Sequence, residues 1–223
     1  MKRIHIYLIV ILSTILIFSS CATWNRTQKG AAVGTATGGT MGAIIGHATG
    51  NTAMGAIIGA TVGGTAGAVI GNQMDQQAEE IKKTVPDANV ERVGEGIVVE
   101  FNSNVLFGFD ESSLSNEAKS NLDKLVLVLD SYADTDIELQ GHTDSRGSAI
   151  YNQNLSEERA NVVSEYLAVK GITSSRVVTK GFGEEVPKYE NDTADGRMRN
   201  RRVEFLITAN EKMKADAEKE AAN

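Results

Sequence analysis

From Gly30 to Met74 the chain carries no Asp, Glu, Lys or Arg, and through that stretch glycine returns every fourth residue. Glycines fall at 30, 34, 38, 42, 46 and 50, slip by one, and continue at 55, 59, 63, 67 and 71. An internal repeat is visible: GTATGGTMGAIIG at 34–46 returns as GATVGGTAGAVIG at 59–71. A period of four places the glycines on one face of a helix. In water each interior glycine costs a helix about 1 kcal/mol against Ala. The pattern makes sense where two helices approach along bare faces, as small-xxx-small helices do in membranes. The spacing predicts one helix over 30–46, a turn at His47–Thr52 and a second helix over 53–71. Each is about 26–29 Å long at 1.5 Å per residue, near the thickness of a hydrocarbon core. A flexible linker is the alternative, and the regular Ile-Ile and Val-Ile insertions speak against it. The pattern leaves open whether the hairpin spans a bilayer, rests on it, or pairs with a second copy as a homo-oligomer.

The segment before it reads as a targeting sequence. Lys2 and Arg3 are followed by an apolar run of 13 residues, Ile6–Phe18, too short for a comfortable membrane span and right for a signal peptide over 1–20. FSSC at 18–21 is similar to a bacterial lipobox, and Cys21 is the only cysteine of the chain. The similarity implies lipidation of Cys21 by acyl chains such as palmitate. More than one chain holds firmly, whereas one binds reversibly. Thr23 after Ala22 resembles the outer-membrane sorting pattern.

The whole chain has 223 residues and a net charge of −7. That length allows one ordinary domain with appendages. One cysteine excludes an intramolecular disulfide and a Cys-cluster metal site, and net acidity argues against nucleic acid as a partner.

Past the glycines, Asn72–Val85 is polar with Met74, Ala78 and Ile81 at near-helical spacing, and reads as a helical connector (72–88) ending before Pro86. A domain over 89–208 follows. Asn89–Val93 and Ile97–Phe101 flank Gly94-Glu95-Gly96 as a hairpin, and Val105–Phe109 is a further apolar piece. Ser115 caps a helix over Asn116–Tyr132 whose apolar face is Ala118, Leu122, Leu125, Val126 and Leu129. Strands are expected at Asp136–Gly141, Arg176–Phe182 and Arg202–Ile207, with a loop over Glu184–Arg199 before the last. Between the first two, a second helix starts at Ser148 or at Asn154 and ends near Lys170-Gly171. The result is an α/β fold, a two-layer α+β sandwich in the order βαβαββ. The tail, 209–223, is charged and Ala-rich, a frayed helix or disorder.

Between strand and second helix lies GHTDSRGSAIYNQNLSEERA, 141–160. With GRMRNRRVEF at 196–205, it makes the region 90–208 resemble the C-terminal domain of outer-membrane protein A and its relatives. The glycine segment resembles the zipper attached to some OmpA-like lipoproteins. The resemblance implies binding of peptidoglycan through the free end of diaminopimelate, an ammonium and a carboxylate on one carbon. Asp144 in GHTD would accept the ammonium, and Arg159 in LSEERA would offer a bidentate fork to the carboxylate. Asn152, Asn200, Arg202 and Asp110 complete the expected peptidoglycan-binding residues. Arg201 and Arg202 point to opposite faces, so at most one reaches a given ligand. No metal and no cofactor is expected. The implied partners are diaminopimelate-containing peptidoglycan and membrane lipid, through Cys21 and the 30–71 segment. The domain is expected in the periplasm, tethered to the outer membrane.

Two other classes are weaker. His142, Asp144 and Ser145 do not form a hydrolase site: sequence neighbours seldom make a triad, and no nucleophile elbow is present. His142 reads instead as a brace for the strand end. A motor stator would need an ionisable residue inside its membrane span, and the glycine segment has no carboxylate.

Overall fold

The computed structural model describes residues 64–108 and 111–222. Cys21, Asp110, the targeting segment and most of the glycine repeat lie outside the described residues.

The first described helix, α1, is Thr65–Thr84. It runs unbroken through Gly71 and through the expected connector. The residues after Gly71 are mostly good helix formers, and nothing interrupts them before Pro86. Its buried face is Ala66, Gly67, Ile70, Met74, Gln77, Ala78 and Ile81. The end of the repeat is thus one helix with the connector, and that face packs on the domain core. Arg92 fixes this arrangement, donating from Nε to Asp75 at 2.8 Å and from its fork to the carbonyls of Gly96 and Gly71.

The hairpin β1 (Asn89–Val93) and β2 (Gly96–Asn102) leads into one helical turn, α2 (Ser103–Leu106). Then come α3 (Asn116–Ser131), β3 (Thr135–His142), α4 (Ala149–Val169) and β4 (Val177–Gly181). A short α5 (Ala194–Asn200) stands inside the expected loop, before β5 (Arg202–Ala209). The sheet order is β1-β2-β5-β3-β4. Among the described strands only β3 and β4 are parallel, and the crossover that a parallel pair requires is α4.

The Ser115 hydroxyl accepts the Ala118 N–H at 2.9 Å, and the expected apolar face of α3 is buried. It belongs to one buried core with Ile97, Val99, Phe101, Ile137, Leu139, Val203, Phe205 and Ile207 from the sheet. Burial of each such side chain contributes about 1.5–3 kcal/mol. Arg176 closes the far end of α3, donating to the carbonyls of Leu129 and Tyr132, which a helix C-terminus would otherwise leave unsatisfied, and it also donates to the Thr135 carbonyl at the start of β3.

The charged tail is an ordered helix, α6 (Glu211–Ala221), capped by Asn210. Met213 and Ala217, four residues apart, are buried, and α6 lies against α1. Two apolar positions among charges are enough to dock it, a signal that average composition hides.

Candidate functional site

The site forms where β3 ends and α4 begins. Gly141 and Gly181 are partners in the β3–β4 register. A Cβ on Gly141 would lie 2.0 Å from the Ser156 carbonyl oxygen, and one on Gly181 would lie 2.4 Å from Glu157 Cγ. The two glycines let α4 settle onto the strand ends. That presses its Asn152–Ser156–Arg159 face into the domain, where all three are buried.

Helix α4 starts after Ser148, whose hydroxyl accepts the Tyr151 N–H. The alternative start at Asn154 needed Glu157 as a capping partner, and Glu157 instead accepts from Gln153. Arg159 therefore stands three turns into the helix and projects toward the segment before α3. Its Nε donates to the Glu111 carbonyl at 3.0 Å, and its guanidinium lies 5.2 Å from the Phe107 ring centroid. A buried guanidinium is tolerable only with such partners.

Asp144 is buried and held from several sides. Its Oδ1 accepts the Arg146 N–H at 2.9 Å, and its Oδ2 lies 2.5 Å from Arg201 Nη1. The Asp144 carbonyl accepts Asn152 Nδ2 at 3.2 Å, and the same amide bonds Glu184. Asp144 is thus both a turn residue and one half of an ion pair. Arg201 reaches it from the solvent side, with 30% of its side chain exposed against 8% for Asp144.

Asp144, Arg146, Asn152, Arg159 and Arg201 line one cleft of about 130 Å³, formed with Ser103, Asn104, Gly108, Thr143 and Tyr151. The structure brings Asp144, Arg159 and Asn152 together, as the sequence suggests. Asn200 and Arg202 lie elsewhere. Arg202 is fully buried against Glu204, Nε to Oε1 at 2.6 Å, and donates to the carbonyls of Asn200 and Val186. Alternation along β5 turns Arg202 away and leaves Arg201 for the cleft. The Asn200 amide is spent on Lys188 N, Tyr189 N and O, and Asn191 Oδ1. Asn191 Oδ1 in turn accepts the Ser145 N–H. Asn200 is a brace behind the Asp144 turn.

Arg201 is the residue that the sequence reading left outside its site, although the NRR run contained it. Ser103, from β2–α2, carried no motif signal at all. His142 is fully buried and stacked on Phe182 at 5.3 Å and 8°. Burial, then the nearby charges of Arg202 and Lys188, hold its pKa well below 6.5, so it is a neutral brace at the strand end. Among the described residues no cluster of His, Cys, Asp or Glu could hold a metal. No described helix is long and apolar enough to cross a membrane.

Comparison with known proteins identifies the family. The OmpA family matches residues 106–201, and the YMGG-like Gly-zipper matches residues 1–75. The probable lipoprotein YiaD of Escherichia coli strain K12 is 32% identical over 216 residues, covering 93% of this chain and 98% of that protein. The chain belongs to the OmpA family, with a glycine zipper ahead of the domain. Outer membrane protein A of Bordetella avium is 42% identical over 114 residues, covering 51% of this chain and 59% of that one. Other overlaps are partial: the chain spans 16% and 33% of two further relatives that match about half of it. In structure it is similar to the cell wall anchor of the T6SS from Pseudomonas aeruginosa. There the TM-score is 0.54 and the identity 26%, over 61% of this chain and 96% of that one.

Proposed function

We propose that this chain binds peptidoglycan without covalent attachment, through the free end of a diaminopimelate side chain, and so tethers the outer membrane to the wall. One observation carries the reading. Asp144 and Arg159, 15 residues apart in sequence, line one cleft with Asn152 beside them. A carboxylate and a guanidinium in one small cleft match a group bearing an ammonium and a carboxylate on one carbon. Asp144 takes the ammonium and Arg159 the carboxylate. Asn152 holds the Asp144 backbone and fixes the spacing. Asp110, which the family resemblance adds to the wall-binding residues, lies outside the described residues. Arg202 and Asn200 support the site from behind.

In this reading lipidated Cys21 anchors the chain in the outer membrane, with the domain in the periplasm. The glycine segment packs in or on the bilayer, or against a second copy. Purified sacculi test the wall step. The full chain should sediment with diaminopimelate-type sacculi and not with lysine-type sacculi, which lack the second carboxylate. Equal sedimentation with both rejects the specificity. Labelling with a fatty-acid analogue tests the anchor: wild type should take the label and Cys21→Ala should not.

A second reading, a wall-binding subunit of a larger envelope machine, is favoured by the likeness to the T6SS wall anchor. It uses the same cleft, and co-purification of a stoichiometric partner from cross-linked membranes would separate the two.

A further inference from the structure

Two hydroxyls in the cleft remain unused. Ser103 and Thr143 are 2% and 4% exposed, and both line the cleft. Neither Ser103 Oγ nor Thr143 Oγ1 meets a hydrogen-bond partner among the described residues. A buried hydroxyl without a partner is destabilising, and two of them on residues that line the cleft with Asp144 call for an explanation. Their backbones are fixed: Ser103 N donates to the Arg201 carbonyl at 2.8 Å, and Thr143 N to the Gly183 carbonyl at 2.8 Å. The side chains are therefore held in place without being bonded.

The nearby carboxylate is already occupied. Arg201 sits on Asp144 Oδ2 from the solvent side, while the Arg146 N–H takes Oδ1. A ligand ammonium arriving at Asp144 brings three N–H donors, and burying it requires three acceptors. Asp144 supplies one in place of Arg201. The two unsatisfied hydroxyls are the further acceptors that the cleft holds ready.

We propose that the amino end of the ligand replaces Arg201 on Asp144 and is held there by three oxygens: Asp144 Oδ2, Ser103 Oγ and Thr143 Oγ1. Arg201 is the stand-in for the ligand cation in the free protein. Its guanidinium swings outward on binding, while the Ser103–Arg201 backbone bond keeps the rim in place. The inference rests on the diaminopimelate reading and assigns two residues to its ammonium half.

The signature is a separation of stability from binding. Ser103→Ala and Thr143→Val remove hydroxyls that bond nothing in the free protein, so their melting temperatures should equal or exceed that of wild type. Titration of the full chain with a soluble diaminopimelate-containing muropeptide should show about tenfold weaker binding for each. Arg201→Gln removes the stand-in and should bind at least as tightly as wild type. Three results overturn the assignment: melting temperatures that fall for both hydroxyl variants, hydroxyl variants that bind like wild type, or an Arg201→Gln variant that binds tenfold more weakly. A wild-type chain that binds no muropeptide instead rejects the parent reading, and this inference with it.

Discussion

Gly141 in β3 faces the carbonyl of Ser156 in α4 so closely that a Cβ would lie 2.0 Å from the oxygen. The contact is backbone to backbone, so no side-chain rotation relieves it. Gly141→Ala must push α4 off the sheet, and with it Asn152 and Arg159. The expected cost is about 3 kcal/mol or more, with loss of wall binding even in the folded fraction. Gly71→Ala is the contrast. It lies inside α1 with nothing among the described residues within 4 Å of the added Cβ, and should stabilise by up to about 1 kcal/mol. Denaturant melts of both variants, read beside sacculus binding, check the pair. A Gly141→Ala chain as stable as wild type would show that α4 is not held down in this way.

That close approach explains which parts of the fold were legible in sequence. The apolar stripe of α3 and the β5 strand read directly, because burial there follows helical and strand periods. Helix α4 did not. Its first buried positions are Asn152, Ser156 and Arg159, so the hydrophobic period appears only further on and left two starting points open. The tail left helix and disorder both open for a similar reason, since Met213 and Ala217 are sparse among charges. In the candidate cleft, the pairing of Asp144 with Arg159 is legible through a family motif. Choosing between Arg201 and Arg202 needed the orientation of β5 against the cleft. Ser103 needed the tertiary path of β2–α2, which no local pattern announces.

His142 makes acid stability a test of the neutral brace. Burial and the charges of Arg202 and Lys188 lower its folded-state pKa well below 6.5, the value expected when unfolded. Below pH 6.5 the unfolded chain therefore binds the proton and the folded one does not. Stability should fall as pH drops, by about 1.4 kcal/mol per unit from this group, until the folded pKa is reached. His142→Phe keeps the stack on Phe182 and cannot protonate. Its stability between pH 6.5 and 5 should fall less steeply than that of wild type. Parallel slopes for the two proteins would show that His142 does not titrate as a buried neutral base.

The docked tail predicts that truncation is costly. Ending the chain at Asn210 removes Met213 and Ala217 from the α1 contact and the exposed Lys212–Asp134 pair, which contributes little. Loss of the buried apolar surface, about 2–3 kcal/mol, should lower the melting temperature by roughly 5–10 °C. Wall binding at low temperature should persist, because the cleft lies on other elements. Hydrogen exchange should locate the loosening in α1. A truncated chain that melts like wild type would mean that the tail merely rests on the surface.

The two charges of the cleft give the most direct test of function. Full truncation is a poor probe, because Arg159 is buried against Phe107 and Glu111, and its removal would unsettle the fold. Conservative changes isolate the chemistry. Asp144→Asn keeps an acceptor for the Arg146 N–H and removes the charge that an ammonium requires. Arg159→Lys keeps the charge and loses the planar fork. Hydrogen bonds to charged groups contribute about 1.5–3 kcal/mol each, so either change should weaken muropeptide binding by about one to two decades. The two ends belong to one small ligand that both must grip, so the double variant should lose little beyond the worse single one. Melting temperatures should stay within a few degrees of wild type for Asp144→Asn. Titration of the three variants with the same muropeptide decides the matter. Unchanged affinity in a folded Asp144→Asn chain would remove Asp144 from the site and the diaminopimelate reading with it.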